Sequence, residues 1–150
     1  FADAAGSRVG VLLDGGRVLD LGVAMPPARD MISVIEAGAP MLAAIRALAA
    51  NPPANAVLPL ASVALQAPIP KPRRNVFCVG RNYMDHVAEG DRTRGITQSE
   101  VPKYPQFFTK AADCVIAPGA KVPTHEGVTK WLDYEVELVA IIGKTGRDIP

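Results

Sequence analysis

Apolar and polar positions in the first seventy residues follow two patterns, one typical of strands and one of helices. Two β-forming runs, residues 8–13 and 17–21, flank the turn-forming sequence Asp-Gly-Gly at 14–16, which predicts a β-hairpin. Apolar spacing and a high alanine content then predict helices over 31–36 and 41–50. Residues 1–70 are therefore expected to form a small α/β domain.

A proline-rich stretch separates this domain from the rest of the chain. Pro68, Pro70 and Pro72 predict a stiff connector near residues 67–74, so that a second domain covers 71–150. That domain opens with residues 75–80, an apolar run of β-formers that ends at a glycine. This pattern predicts a buried strand that enters a tight turn.

A short polar helix is predicted directly after this strand. Asn82 can cap its N-terminus, with Asp85 three residues on, and Gly90 is placed to end it after about two turns. Within it His86 and Glu89 are three residues apart and share a face, so the carboxylate can accept the imidazole N–H. An imidazole held in this way is suited to act as a general base. The alternative is an ordinary solvated pair on a surface helix.

The polar residues 90–100 follow this pair directly. They are poor in apolar anchors and could form a lid that closes over a bound substrate. The alternative is an ordinary surface loop.

An acidic segment near the end of the chain is the second candidate for chemistry. In a strand over 132–138, alternation places Asp133, Glu135 and Glu137 on one face and apolar side chains on the other. The apolar residues 139–142 continue it as a strand that enters a buried core. A divalent cation (Mg²⁺, Mn²⁺ or Ca²⁺) would relieve the repulsion between the crowded carboxylates, with Glu135 and Glu137 as ligands. The alternative is a half-exposed strand whose acids face water.

Taken together, three sequence blocks resemble the fumarylacetoacetate hydrolase family in their order and spacing. The similarity runs from about residue 70 to the end of the chain. The first block is Cys-Val-Gly-Arg-Asn-Tyr at 78–83, followed by Asp85, His86 and Glu89. The other two are Pro-Gln-Phe-Phe-Thr-Lys at 105–110 and Asp-Tyr-Glu-Val-Glu-Leu at 133–138.

The resemblance implies roles for individual residues. Glu135 and Glu137 would bind Mg²⁺ or Mn²⁺, His86 and Glu89 would activate water, and Lys110 would line the substrate pocket. It also implies a largely β fold for the second domain, an α+β fold for the whole chain, and a homodimer.

The sequence departs from the family in one respect. A third metal-binding carboxylate would lie some thirty residues beyond the acidic segment, and the printed sequence stops at Pro150. Family members of this architecture are nearly twice as long. The chain is therefore expected to be the N-terminal half of a longer enzyme, with an incomplete second domain.

The function expected from this resemblance is hydrolysis of a carbon–carbon bond in a 2,4-dioxo acid. An acylpyruvate or fumarylpyruvate would be cleaved to pyruvate and a carboxylic acid. Two alternatives within the family are decarboxylation of oxaloacetate and isomerisation or hydration of unsaturated 2-oxo acids in aromatic catabolism. An alternative of another class is a non-catalytic half-domain that needs a partner chain.

The composition argues against nucleic-acid-binding, membrane and secreted proteins. The chain is 49% hydrophobic and 21% charged, with a formal net charge of +1, which gives no sign of a nucleic-acid-binding surface. No run of 18 apolar residues and no signal peptide is recognised, so a cytoplasmic protein that does not bind membranes is expected. Cys78 and Cys114 are expected to be reduced core residues.

Overall fold

The computed structural model describes residues 1–97 and 100–149, and it has an α+β fold. Its helices and strands follow in this order along the chain: β1 (Ala2–Asp3), β2 (Gly6–Ser7), β3 (Gly10–Leu13), β4 (Arg17–Asp20), α1 (Leu21–Ala24), α2 (Met31–Ala50), β5 (Val57–Pro59), β6 (Val76–Gly80), α3 (Met84–Thr93) and β7 (Gln106–Lys110). Short 3₁₀ helices cover Ala54–Ala56, Leu60–Ser62 and Ala112–Cys114.

The predicted hairpin is confirmed as part of a three-stranded antiparallel sheet. β3 pairs with β4 from Gly10 opposite Asp20 to Leu13 opposite Arg17, and β5 joins the other edge of β4. The loop between β3 and β4 contains Gly15 and Gly16, both with positive φ (72° and 65°), a conformation that costs glycine little. β4 is therefore the central strand, and its side chains are the most buried of the sheet.

The hydrophobic core of this region lies between β4 and the helices. Its buried members are Leu19, Leu21, Ala28, Val34 and Ala56. Partly buried side chains of α2, among them Met41, Ile45 and Leu48, pack against them. These positions recur at helical spacing, so one face of α2 covers the core while its alanine-rich remainder stays exposed.

Helix α2 begins and breaks where its sequence requires. Asp30 accepts a hydrogen bond from the Ser33 backbone N–H (2.7 Å), and the Ser33 hydroxyl accepts one from the Asp30 N–H (3.1 Å), forming a capping box. Gly38 interrupts the helix with φ 64° and ψ −146°, two residues before Pro40. The predicted pair of helices is thus confirmed, although they join without an intervening loop.

One helix in the described part of the chain, α2, is long and apolar enough to cross a membrane by length and composition. Core helices pass the same test, so this is weak evidence for a membrane segment. The break at Gly38 leaves at most twelve residues in one regular helix, or roughly 18 Å at 1.5 Å per residue. A bilayer core is about 30 Å thick.

Residues 70–115 form a compact unit of their own, in which β6 pairs with β7 in antiparallel register and α3 follows β6. The other compact unit comprises residues 1–69 and 116–150. β6 confirms the strand predicted over 75–80, but Phe77 is exposed, so the strand is not buried as expected. Cys78 is half-buried and Cys114 is exposed, so the prediction that both are core residues is wrong for Cys114.

The predicted acidic strand over 132–138 and its buried continuation over 139–142 are wrong for the structure as described. Residues 131–142 belong to no strand, and the side chains of Val136, Leu138 and Ile142 are more than four-fifths exposed. A strand forms only where a second strand satisfies its backbone groups. Within residues 1–97 and 100–149, each sheet is formed without this segment.

Candidate functional site

Helix α3 carries the predicted acid–base pair and is longer than its sequence suggests. It starts at Met84 after Tyr83 rather than Asn82, has no side-chain N-cap, and runs through Gly90 to Thr93. The predicted cap at Asn82 and end at Gly90 are therefore wrong. Glycine lowers helix propensity by only about 1 kcal/mol, which other contacts of the helix can offset.

The actual end of α3 is a Schellman motif. The Ile96 N–H donates to the Asp91 carbonyl (2.8 Å) and the Gly95 N–H donates to the Arg92 carbonyl (3.1 Å). Gly95 has φ 73°, the left-handed conformation that this motif requires at this position. The glycine that ends the helix is thus the second one after the acid–base pair.

His86 and Glu89 both lie on α3, and both are exposed. At about 100° per residue, their mean direction points roughly 150° away from that of Val87 and Asp91, the two buried residues of the helix. The pair therefore occupies the solvent-facing side of α3, where a small molecule can reach it. A hydrogen bond between the two side chains stays a prediction.

The opposite face of α3 holds an ion pair. The two terminal nitrogens of Arg81 each donate to one carboxylate oxygen of Asp91, both at 3.1 Å. Asp91 is almost fully buried, with 2% of its side chain exposed, whereas 29% of the Arg81 side chain is exposed. This bidentate pair connects the turn after β6 to the last turn of α3.

Lys110 is the last residue of β7, and its side chain is exposed. It lies opposite Val76 in the sheet, whereas Gly80, which leads towards α3, lies opposite Gln106 at the other end. Four residues of strand, roughly 13 Å, separate the two ends. The substrate-binding role of Lys110 stays a prediction.

The acidic segment supplies carboxylates of the kind that hard cations prefer. Glu135 and Glu137 are exposed and lie in a different compact unit from α3. Over residues 1–97 and 100–149, no group of three or more His, Cys, Asp or Glu side chains is placed to hold a metal ion. The assignment of Glu135 and Glu137 as metal ligands stays a prediction.

Two features of the site were not predicted from the sequence. One is the ion pair between Arg81 and Asp91, and the other is strand β7. Val87 and Asp91 are four residues apart, so in a helix they lie on one face, and this spacing could have indicated the buried face of α3. The indication depends on a helix that continues past Gly90, whereas the sequence predicts that the helix ends there. The first four residues of the proposed lid over 90–100 belong to α3 rather than to a loop. Gln98 and Ser99 lie outside the described residues, so a lid formed by the remainder stays a prediction.

Comparison with known proteins supports one family. The family model for the fumarylacetoacetate hydrolase C-terminal region matches residues 75–150, just over half of the chain. The chain is 36% identical over 154 residues to the oxaloacetate tautomerase YisK of Bacillus subtilis strain 168, covering 94% of this chain and 50% of that protein. It is 38% identical over 141 residues to the human mitochondrial oxaloacetate tautomerase FAHD2A, covering 91% of this chain and 40% of that protein.

A solved structure is similar as well. A Mycobacterium smegmatis protein provisionally assigned as HpcE superposes with a TM-score of 0.53 at 27% identity, covering 78% of this chain and 38% of that one. The chain thus spans about half the length of the curated relatives that it matches. The family match and the α+β fold agree with the sequence blocks at 78–89, 105–110 and 133–138, and the chain belongs to the fumarylacetoacetate hydrolase family.

Proposed function

We propose that the complete protein catalyses proton transfer at the carbon next to the keto group of a 2-oxo acid, with oxaloacetate as the substrate. The observation that carries this proposal is the placement of His86 and Glu89 together on the exposed side of α3. The tautomerases named above support the choice of substrate, since each is similar to more than nine-tenths of this chain.

The chemistry requires one base that can both accept and donate a proton near neutral pH. In the keto-to-enol direction, the His86 imidazole accepts a proton from C3 of oxaloacetate, the C3–H electron pair becomes the C2–C3 double bond, and the π pair of the keto group moves onto its oxygen. The former keto oxygen then takes up a proton from solvent. Histidine suits both directions because its ordinary pKa, about 6.5, is close to neutral.

Glu89 has an orienting role in this scheme. A carboxylate that accepts the imidazole N–H selects one tautomer and stabilises the imidazolium that forms when the base takes a proton. Three residues of helix separate the two side chains, which brings them within reach of each other. Loss of Glu89 is therefore expected to slow the reaction less than loss of His86.

A divalent cation is the second element of the proposal. We infer that Glu135 and Glu137 supply two ligands to Mg²⁺ or Mn²⁺ in the complete protein, because hard cations prefer carboxylate oxygens. When bound, such an ion polarises the carboxylate and keto oxygens of a 2-oxo acid.

Hydrolysis of an acylpyruvate is the second candidate function. The exposure of His86 favours it, because a base that is open to solvent can also take a proton from water. The hydroxide then adds to the distant keto carbon, and the carbon–carbon bond breaks with its electron pair leaving on the enolate of pyruvate. The enolate regains the proton that His86 took from water, so the products are pyruvate and a carboxylic acid. The substrate in both schemes is a small 2-oxo acid, and we propose a cytoplasmic homodimer as the working form.

The experiment that tests this proposal uses the complete protein with three substrate assays. Ketonisation of enol oxaloacetate is followed by its ultraviolet absorbance, and pyruvate release from oxaloacetate or acetylpyruvate is followed with lactate dehydrogenase. Ketonisation without pyruvate supports the tautomerase, and pyruvate from acetylpyruvate supports the hydrolase. Absence of all three activities, with Mg²⁺ or Mn²⁺ present, would contradict both.

The same assays after chelation test the cation. The proposal predicts that EDTA abolishes activity and that added Mg²⁺ or Mn²⁺ restores it. Activity that persists unchanged after complete chelation would refute the role assigned to Glu135 and Glu137.

A further inference from the structure

The turn that precedes α3 contains a backbone conformation that is unusual for its residue. Arg81 has φ 55°, in the left-handed region that residues with a Cβ rarely adopt. Such a conformation persists only where surrounding contacts fix it. Here those contacts are the two hydrogen bonds to Asp91 and a third, at 3.3 Å, from an Arg81 terminal nitrogen to the Glu100 carbonyl.

The pair with Asp91 joins two residues that flank the proposed acid–base residues in the sequence. Arg81 precedes α3 by three residues and Asp91 lies in its last turns, so His86 and Glu89 fall between the two ends of the bridge. A bidentate guanidinium–carboxylate pair fixes orientation as well as distance, because two parallel bonds resist rotation. The bridge therefore constrains both the tilt of α3 and its rotation about its own axis.

The chemistry of the pair argues for a role in geometry. Burying the Asp91 carboxylate carries a desolvation cost, and well-packed apolar residues often stabilise a fold as well as a buried ion pair does. Contacts between apolar side chains do not fix one orientation of the two groups. The two parallel hydrogen bonds of the bidentate pair do fix it, and they lie on the helix face opposite to the proposed site.

We propose that Arg81 is a positioning residue, which sets the orientation of the His86–Glu89 face of α3 through its bidentate pair with Asp91. The proposal rests on the proposed function of His86. Its effect appears in turnover more than in substrate binding, since a misplaced base slows proton transfer while leaving other contacts to the substrate in place. Displacement by about 1 Å can lower a rate by a factor on the order of 100.

The test uses Arg81→Lys and Arg81→Gln in the complete protein, with Arg92→Gln as the matched control. Lysine keeps the charge but cannot form the two parallel bonds. Arg92 lies on α3 itself, where its side chain is exposed and donates a long hydrogen bond to the Ala88 carbonyl (3.3 Å). Both Arg81 variants are expected to lower kcat by roughly 10- to 100-fold with KM changed less than about threefold, whereas the control keeps both constants.

A second measurement does not depend on activity. Hydrogen exchange of the α3 amides is expected to accelerate at least about tenfold in both Arg81 variants, relative to β6 and β7, and to stay unchanged in the control. If the wild-type protein has no activity on the substrates above, the proposed function fails, and accelerated exchange still supports the anchoring of α3 by Arg81.

Three results would overturn the proposal. One is a folded Arg81→Lys protein with kcat within twofold of the wild type, and another is a rise in KM alone. If neither Arg81 variant folds, Asp91→Asn serves instead, since it keeps the shape of the side chain. Failure of all three to fold would make the pair a requirement for folding and would also overturn the positioning role.

Discussion

Truncation of Leu19 tests the core that holds the sheet β3–β4–β5 against the helices. Leu19 is fully buried on the central strand and packs among Leu21, Ala28 and Val34. Leu19→Ala removes three carbons, worth about 2.4 kcal/mol at about 0.8 kcal/mol each. The cavity left behind raises the expected loss of unfolding free energy to about 3 kcal/mol. With a urea m-value of about 2 kcal/mol/M, the unfolding midpoint should fall by about 1.5 M.

The matched control is Leu12→Ala on the neighbouring strand β3. Leu12 is 68% exposed, so the same chemical change should cost less than about 0.5 kcal/mol. Both variants are measured by urea unfolding, followed by far-ultraviolet circular dichroism. Equal losses at the two positions, or a loss below about 1 kcal/mol for Leu19→Ala, would show that the core is not organised around β4.

Three further predictions concern charge, helix termination and metal binding. The Arg8 guanidinium donates a hydrogen bond to Asp3 and thereby lowers the pKa of that carboxyl. The ionised Asp3 carboxylate therefore contributes to stability above pH about 4, and this contribution is lost as the pH falls through the lowered pKa. Asp3→Asn should therefore flatten the acid side of a stability–pH curve, and an unchanged slope would refute this. Gly95→Ala, at φ 73°, should cost about 1 kcal/mol and fray the end of α3, measured by thermal unfolding and amide exchange, and undiminished stability would argue against the Schellman end. Glu135→Gln and Glu137→Gln should each weaken Mg²⁺ binding to the complete protein by calorimetry, and unaltered affinity in both would remove them as ligands.

Local features were predictable because they depend on neighbouring residues. The turn at Gly15 and Gly16 and the helix break at Gly38 follow from glycine's freedom at positive φ, and each appears where the sequence places it. The helix after β6 was also predicted, although not its end, because Gly90 is an internal glycine and the left-handed terminator is Gly95.

Features that depend on distant residues were not predictable in the same way. The alternation at 132–138 favours a strand, but a strand needs a partner, and the described residues pair none with it. The Arg81–Asp91 pair depends on how the turn and the end of α3 meet in space. His86 and Glu89 were predictable as a pair because helix geometry alone brings them to one face.

The central claim is that His86 transfers the proton, and the chain's two histidines allow a direct comparison. The measurement is exchange of deuterium from D₂O into the C3 methylene of oxaloacetate, followed by proton NMR above the uncatalysed rate, with the complete protein. His86→Gln is expected to lower the catalysed exchange rate by about 10²- to 10⁴-fold, whereas the exposed His125→Gln should retain it. Exchange at the wild-type rate in His86→Gln would contradict the account.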